Sequence, residues 1–172
     1  MRPGLLLGIA LACGMAQARP LAADPMPEYA MKAAYLYNFA LFTEWPALPD
    51  NQLNLCLLGT DAFGAALESI DGKPVNGLRL SVQRISGSSS ARQCQILFLG
   101  TSAGINLRRL LHDIKDEPVL TVTDNDDLVQ AGIMIRMSIE NKRLTFAINT
   151  EAARRARLTI SSKLLRLAKT VN

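Results

Sequence analysis

The spacing of hydrophobic positions divides most of the chain into alternating strands and helices. Short apolar or alternating runs predict strands, and apolar residues repeated every three and four positions predict helices. Strands are predicted at residues 53–58, 78–85, 95–99 and 118–122. Helices are predicted after the first and third of these strands, at about residues 62–70 and 102–113. Strands that alternate with helices are typical of a parallel sheet with helices on its faces.

The end of the chain follows a different pattern. Apolar positions alternate over residues 133–139 and 144–148, and the polar residues 140–142 between them predict the turn of an antiparallel hairpin. Helices are predicted to follow at residues 151–157 and 162–171, the second of them docked on the domain by its apolar side. The chain is therefore expected to be an α/β protein with a mostly parallel sheet flanked by helices and a C-terminal antiparallel hairpin.

The segment MKAAYLYNFALFTEWP, residues 31–46, has the length of a helix but lacks a clean polar face. With 100° of rotation per residue, Tyr35, Phe39 and Phe42 share one side, whereas Leu36 points well away from them. A surface helix of a small domain normally keeps one solvated face. Tyr35, Leu36, Phe39 and Phe42 are therefore candidate residues of a protein interface, and the alternative is burial of this helix within the monomer.

The N-terminus has the organisation of a secretory signal peptide. A basic residue precedes the apolar run Leu5–Cys13, and Ala16-Gln17-Ala18 supplies the small residues of a cleavage site. Residues 1–18 are therefore predicted to be a signal peptide, residues 19–27 a tether, and residues 28–172 a single domain. The alternatives are a buried N-terminal helix and a membrane anchor, for which the apolar run is short.

Composition narrows the class of protein only slightly. The 172 residues are 49% hydrophobic and 20% charged, which is ordinary for one globular domain. The net charge of +4 is too small to indicate a partner. No run of Lys and Arg with interleaved aromatic residues occurs in the sequence, so nucleic-acid binding is not expected.

Cysteine usage indicates a disulfide. An exported chain that keeps only Cys56 and Cys94 is expected to pair them, and two unpaired buried thiols are the alternative. If the strands at residues 53–58 and 95–99 end level, Cys94 lies about 10 Å behind Cys56 along the strand direction. A disulfide needs Cα atoms within about 7 Å of each other. The bond therefore requires either staggered strands or a Cys94 that turns back before its strand begins.

The sequence offers few candidates for catalysis. The single histidine, His112, lies near the end of a predicted helix and is expected on the surface. The acidic run 124–127 follows a strand but lacks the spacing of a calcium loop, so Asp124 is expected to cap the next short helix. The turns at Gly59 and Gly100 fall short of a dinucleotide-binding motif. We therefore expect a non-enzymatic protein with no metal site and no cofactor.

Several stretches taken together resemble a known family. In chain order they are KAAYLYNFALFTEWP, LNLCLLGTDAFG, CQILFLG, VLTVTD, GIMIRM, RLTFAIN with EAARRARL, and ISSKLLRLA. In this order they are similar to the YfiR-like family, and the resemblance runs from about Glu28 to Lys169. It implies a Rossmann-like sheet between helices, a periplasmic location and a homodimer.

The resemblance also implies a function. YfiR-like proteins are periplasmic regulators, so the chain is expected to bind and repress a YfiN-like diguanylate cyclase of the inner membrane and thereby lower cyclic-di-GMP signalling. A YfiB-like outer-membrane lipoprotein is the implied second partner, and disulfides are the implied means of redox control. The alternative is a periplasmic module that binds a small ligand and signals to another receptor.

The family pattern assigns roles to particular residues of this chain. Cys56 and Cys94 match its first cysteine pair, whereas its second pair is absent because residues 128–149 contain no cysteine. Ala147 stands where the family commonly has glutamate. The end of the hairpin is implied to face the partner, and the candidate partner-binding residues there are Phe146, Ala147, Ile148, Asn149 and Ala153.

Overall fold

The computed structural model describes residues 27–48, 51–100 and 106–172. Its helices are α1 (Glu28–Leu41), α2 (Ala65–Glu68), α3 (Leu107–Ile114), α4 (Thr150–Arg155) and α5 (Ser162–Leu167). Its strands are β1 (Thr43–Glu44), β2 (Gln52–Leu58), β3 (Pro74–Val75), β4 (Leu78–Ile85), β5 (Ile96–Leu99), β6 (Leu120–Thr123), β7 (Ile135–Glu140), β8 (Arg143–Ile148), β9 (Thr159–Ile160) and β10 (Thr170–Val171). Two 3-10 helices span Ser88–Gln93 and Asp126–Ala131. The predicted signal peptide, and all but the last residue of the predicted tether, lie outside the described residues.

Eight strands form one sheet in the order β10-β8-β7-β6-β5-β2-β4-β3. The pairs β7–β8 and β3–β4 are antiparallel, and the other neighbours in the sheet are parallel. Strands β1 and β9 form a separate two-stranded antiparallel sheet. The prediction of a mostly parallel α/β sheet with a C-terminal antiparallel hairpin is confirmed.

The central strands bury both of their faces. Successive side chains of a strand point to opposite faces, so Leu55 and Leu57 of β2 join one hydrophobic cluster and Cys56 and Leu58 join another. The first cluster includes residues of α1, α2, α4 and α5, and the second includes residues of α3. All residues of β5 and β6 are buried. The sheet is therefore covered by helices on both faces, as parallel sheets usually are.

Helix α1 lies in the larger of these clusters, which explains its lack of a clean polar face. Leu36 and Phe39 are fully buried within the monomer, whereas Tyr35 and Phe42 are half-buried. The Phe39 ring meets the Phe146 ring edge-on, with centroids 5.2 Å apart. Burial within the monomer therefore accounts for Leu36 and Phe39, and an interface role for the exposed parts of Tyr35 and Phe42 stays a prediction.

The disulfide prediction is confirmed. Cys56 and Cys94 are bonded, with Cα atoms 5.8 Å apart. Strands β2 and β5 end level, because Leu58 lies opposite Leu99. Cys94 is the residue that ends the first 3-10 helix and is not part of β5. Of the two geometries that the sequence left open, the chain adopts the one in which Cys94 turns back before its strand begins.

Two predicted helices were too long. Asp61 does not start a helix but forms a turn, its Oδ1 accepting hydrogen bonds from Phe63 N at 2.8 Å and Gly64 N at 3.2 Å. Gly64 has a φ of 50°, so α2 begins only at the next residue. The last helix ends at Leu167, because Lys169 N donates to Phe146 O at 2.8 Å and draws the following residues into β10.

Candidate partner-binding surface

The hairpin β7–β8 carries the candidate partner-binding residues. Its turn is tight because Asn141 and Lys142 both adopt positive φ, 49° and 62°, as the two-residue turns of hairpins require. Along β8, every second side chain is buried against the core, and the intervening Thr145 and Ala147 are half-buried on the opposite side. The hairpin therefore has an inner face in the core and an outer face that is partly open to solvent.

Phe146 and Ile148 belong to the inner face. Both are buried, Phe146 at 3% and Ile148 at 0% exposure. The Phe146 ring packs edge-on against both Tyr35 and Phe39 of α1, at centroid distances of 5.7 Å and 5.2 Å. These two residues hold the hairpin on α1 and present no side chain to a partner in this conformation.

Ala147 lies on the outer face of the hairpin, which we define as Arg136, Ser138, Thr145 and Ala147. Arg136 is opposite Ala147 in β7, and its Nη1 lies 2.6 Å from Asp126 Oδ1 in an exposed ion pair. Among the described residues, the hydrophobic cluster on the α3 side includes no member of β7, β8 or β10. The outer face is therefore polar, with a small side chain at Ala147, and is partly accessible to another protein.

Asn149 has a structural role that the sequence did not reveal. It is the N-cap of α4, and its Oδ1 accepts a hydrogen bond from Ala152 N at 2.9 Å. Its backbone N–H donates to Met134 O at 2.8 Å. Asn149 thus orients α4 relative to the end of the hairpin.

Ala153 is buried at the floor of a groove of about 280 Å³ between α4, β9 and α5. The walls of the groove include Leu158, Ile160 and Leu165, and Arg154 is exposed beside it. Of the five candidate residues, the structure therefore places Ala147 on a partly open face, Ala153 under a groove, Asn149 in a helix cap, and the other two in the core.

A buried ion pair at the opposite end of α1 was missed. Lys32 Nζ donates to Asp124 Oδ2 at 2.6 Å, contacts Glu28, and lies 4.6 Å from the centre of the Tyr29 ring. Burial lowers the pKa of Lys32, but the hydrogen bonds and charges of Asp124 and Glu28 outweigh it and leave the pKa above its ordinary value. The presence of Lys32 within an apolar helix was the signal in the sequence, but nothing there named its partner.

Asp124 therefore does not cap a helix, which corrects that expectation. Asn125 is the cap, since its side chain accepts a hydrogen bond from Asp127 N at 3.0 Å. The His112 side chain is 74% exposed on α3, as expected. Within the described residues, no group of three or more His, Cys, Asp or Glu side chains is arranged to hold a metal ion. In the same part of the chain, no helix is long and apolar enough to cross a membrane.

Solved structures share the fold of this chain. A conserved domain protein from Vibrio cholerae O1 biovar El Tor superposes with a TM-score of 0.52 at 9% sequence identity, over 84% of this chain and 60% of that one. The chain thus spans 60% of the length of that relative, and the likeness concerns the fold alone. The ABC domain in complex with L-Trp from Streptococcus pneumoniae gives a TM-score of 0.47 at 11% identity, over 71% of this chain and 55% of that one.

The family assignment comes from the sequence as a whole. The model of the YfiR/HmsC-like family matches residues 29–169, which is most of the chain. The match begins in α1 and ends just before β10, so it includes the disulfide, the hairpin and the groove over Ala153. The chain belongs to the YfiR/HmsC-like family.

Proposed function

We propose that the protein is a periplasmic, non-enzymatic regulator that binds the periplasmic part of a YfiN-like diguanylate cyclase and represses it. The observation that carries this proposal is the family match over residues 29–169, which spans the whole α/β domain. Repression of such a cyclase lowers the amount of cyclic-di-GMP in the cell. A YfiB-like outer-membrane lipoprotein and a second copy of the chain are the other proposed partners.

The disulfide supports a location outside the cytosol. Disulfides form and persist in the periplasm, whereas cytosolic thiols are kept reduced. Cys56 and Cys94 join β2 to the segment before β5 in the centre of the fold, and both are buried. A protein that depends on this bond is expected to fold in an oxidising compartment, in agreement with the signal peptide predicted at residues 1–18.

Regulation by binding is supported by the nature of the described polar groups. His112 is exposed, and its nearest carboxylate, on Asp113, lies 3.6 Å away on the same helix surface. Both described cysteines are consumed in the disulfide, so neither is a nucleophile. The most buried charged group, Lys32, is held in an ion pair between two structural elements.

The outer face of the hairpin is the proposed contact with the cyclase. Ala147 lies between Arg136 of β7 and Thr170 of β10 in the sheet, so its surroundings are fixed by backbone pairing on both sides. A small residue on a rigid, half-exposed face allows close approach of a partner backbone. The groove above Ala153, with Arg154 at its rim, is the proposed extension of this contact.

The test measures cyclic-di-GMP in cells that lack the gene and carry it on a plasmid. Loss of the gene is expected to raise cyclic-di-GMP, and the wild-type chain is expected to lower it again. Ala147→Arg and Thr145→Arg, which place a large cation on the outer face of the hairpin, are expected to fail to lower it. Gln83→Arg is the matched control, because Gln83 is exposed on β4, near the far edge of the same sheet.

Folding of each variant is checked by thermal unfolding of the purified protein, so that loss of repression is not confused with loss of structure. Unchanged cyclic-di-GMP after loss of the gene would contradict the proposed function. Repression by both outer-face variants at the wild-type level would retain the function but remove this face as the contact.

A further inference from the structure

A second pocket, separate from the proposed contact, lies beside the C-terminal end of α1. It has a volume of about 290 Å³ and lies between β1, the start of β2 and the hairpin β3–β4. Its apolar walls include Trp45, Leu53, Val75 and Leu78. Its polar lining includes Thr43 and Glu44, the two residues of β1.

Thr43 is the unusual member of this lining. Its side chain is 1% exposed, and its Oγ1 is the one buried side-chain nitrogen or oxygen of the described residues that has no hydrogen-bond partner. Buried polar groups in folded proteins are nearly always paired, because an unpaired one loses its water without compensation. An orphaned hydroxyl in the wall of a pocket indicates a ligand that supplies the missing partner.

The walls of the pocket are held in place by hydrogen bonds. Trp45 Nε1 donates to Gln95 O at 3.2 Å, which fixes the indole ring. Asn76 Nδ2 donates to Leu41 O at 3.1 Å, and Tyr37 Oη donates to Pro74 O at 2.7 Å. These bonds tie the hairpin β3–β4 to α1, so the pocket exists before any ligand enters, as ligand sites usually do.

We propose that this pocket binds a small neutral molecule with a single aromatic ring and one hydroxyl group, whose hydroxyl pairs with Thr43 Oγ1 and whose ring lies against Trp45. The size fits, because an apolar cavity of about 150 Å³ accommodates benzene. The Glu44 carboxylate in the lining disfavours an anion by charge repulsion. The proposal is independent of the proposed regulatory function and is tested on the purified protein alone.

Trp45 provides the readout, because it is the single tryptophan of the sequence. Its fluorescence is followed in the disulfide-bonded protein during titration with phenol, toluene and benzoate. Phenol is expected to give a saturable change. Toluene lacks the hydroxyl and benzoate carries a negative charge, so both are expected to bind roughly tenfold more weakly or less, since a site built for a hydrogen bond rejects an analogue that cannot make it.

Thr43→Val removes the hydroxyl and keeps the shape of the side chain. It is expected to weaken phenol binding by roughly tenfold, the effect of losing one hydrogen bond to the ligand, and to leave toluene binding unchanged. Thr145→Val is the matched control, because it removes a hydroxyl that donates to Ser138 O on β7, away from the pocket. It is expected to bind phenol as the wild type does.

The absence of a saturable response to phenol would overturn the proposal. So would equal binding of phenol and toluene to the wild type, or equal binding of phenol to the wild type and Thr43→Val. If Thr43→Val fails to fold, the comparison of the three compounds on the wild-type protein decides.

Discussion

Lys32 of α1 and Asp124, the residue after β6, form an ion pair of 2.6 Å in which the Lys32 side chain is only 5% exposed. The pair joins the first turns of α1 to the loop at the carboxyl end of a central strand. Glu28, one turn earlier in α1, contacts the same ammonium group. The position of α1 on the sheet therefore depends on a charge interaction at one end and on the packing of Phe39 against Phe146 further along.

Replacement of Asp124 by asparagine is expected to lower the free energy of unfolding by about 3 kcal/mol. The substitution leaves the buried Lys32 ammonium with Glu28 alone, and breaking one side of a buried pair is costly because the remaining charge loses its compensation. Urea denaturation monitored by circular dichroism measures the change. Asp113→Asn is the control, because Asp113 is half-exposed and pairs with the exposed Arg109; its cost is expected to stay below about 0.5 kcal/mol.

The double variant Lys32→Met/Asp124→Leu distinguishes a charge effect from a packing effect. Replacing both members of a buried pair by apolar side chains is often neutral, so much of the stability lost in Asp124→Asn is expected to return. A double variant less stable than Asp124→Asn would show that the pair contributes more than its own desolvation costs.

The same pair predicts a loss of stability in alkali. Burial lowers the pKa of Lys32, but Asp124 and Glu28 raise it further, to above its ordinary value of 10.5. A raised pKa in the folded state means that the contribution is fully present below pH 10.5 and is lost as the pH rises through the higher folded-state value. The difference in unfolding free energy between the wild type and Lys32→Met is expected to be constant near neutral pH and to shrink in this alkaline range. A difference that grows with pH would contradict the assignment.

Asp61 predicts the opposite behaviour in acid. Its partial burial raises the pKa, but hydrogen bonds from Arg84, Phe63 N and Gly64 N lower it more, to below 3.8. A depressed pKa in the folded state means that the contribution is present above pH 3.8 and is lost as the pH falls through the lower folded-state value. Asp61→Asn is expected to cost about 1 kcal/mol at neutral pH. That cost should disappear at the acidic end of a pH series of denaturation curves.

Reduction of the disulfide is expected to destabilise the domain by about 3–4 kcal/mol. Cys56 and Cys94 are 38 residues apart in the sequence, and a cross-link over a loop of this length restricts the unfolded chain. Denaturation of the wild type with and without a reductant measures the loss, and Cys56→Ala/Cys94→Ala should be insensitive to the reductant. Equal stability of the oxidised and reduced wild type would show that the bond is not structural.

Periodicity predicted the central strands well because they are buried on both faces and their apolar runs are continuous. It failed where long-range pairing decides the structure. The pattern of residues 162–171 is helical throughout, yet Lys169 N donates to Phe146 O, and Thr170 then pairs with Ala147. No local signal announces a pairing with a strand more than 20 residues earlier. The helix at residues 31–46 posed the same difficulty, since its second cover is made of residues distant in sequence.

The candidate sites show the same limit. The sequence identified Cys56 and Cys94 because their number and the predicted export left few options. It did not identify Thr43, since a threonine in a two-residue strand has no pattern of its own and its missing hydrogen bond is visible only in three dimensions. The roles of Phe146 and Asn149 likewise depend on what α1 and α4 place beside them.

Asn149 offers a test that separates a structural role from partner binding. Asn149→Ala removes the cap of α4, because no side-chain oxygen then accepts from Ala152 N, and is expected to cost about 1 kcal/mol of unfolding free energy. Asn149→Asp keeps the acceptor and adds a negative charge at the N-terminus of the helix, so it is expected to retain wild-type stability. If Asn149 acts only as a cap, Asn149→Asp represses cyclic-di-GMP as the wild type does. Loss of repression in this stable variant would instead place Asn149 in the contact with the cyclase.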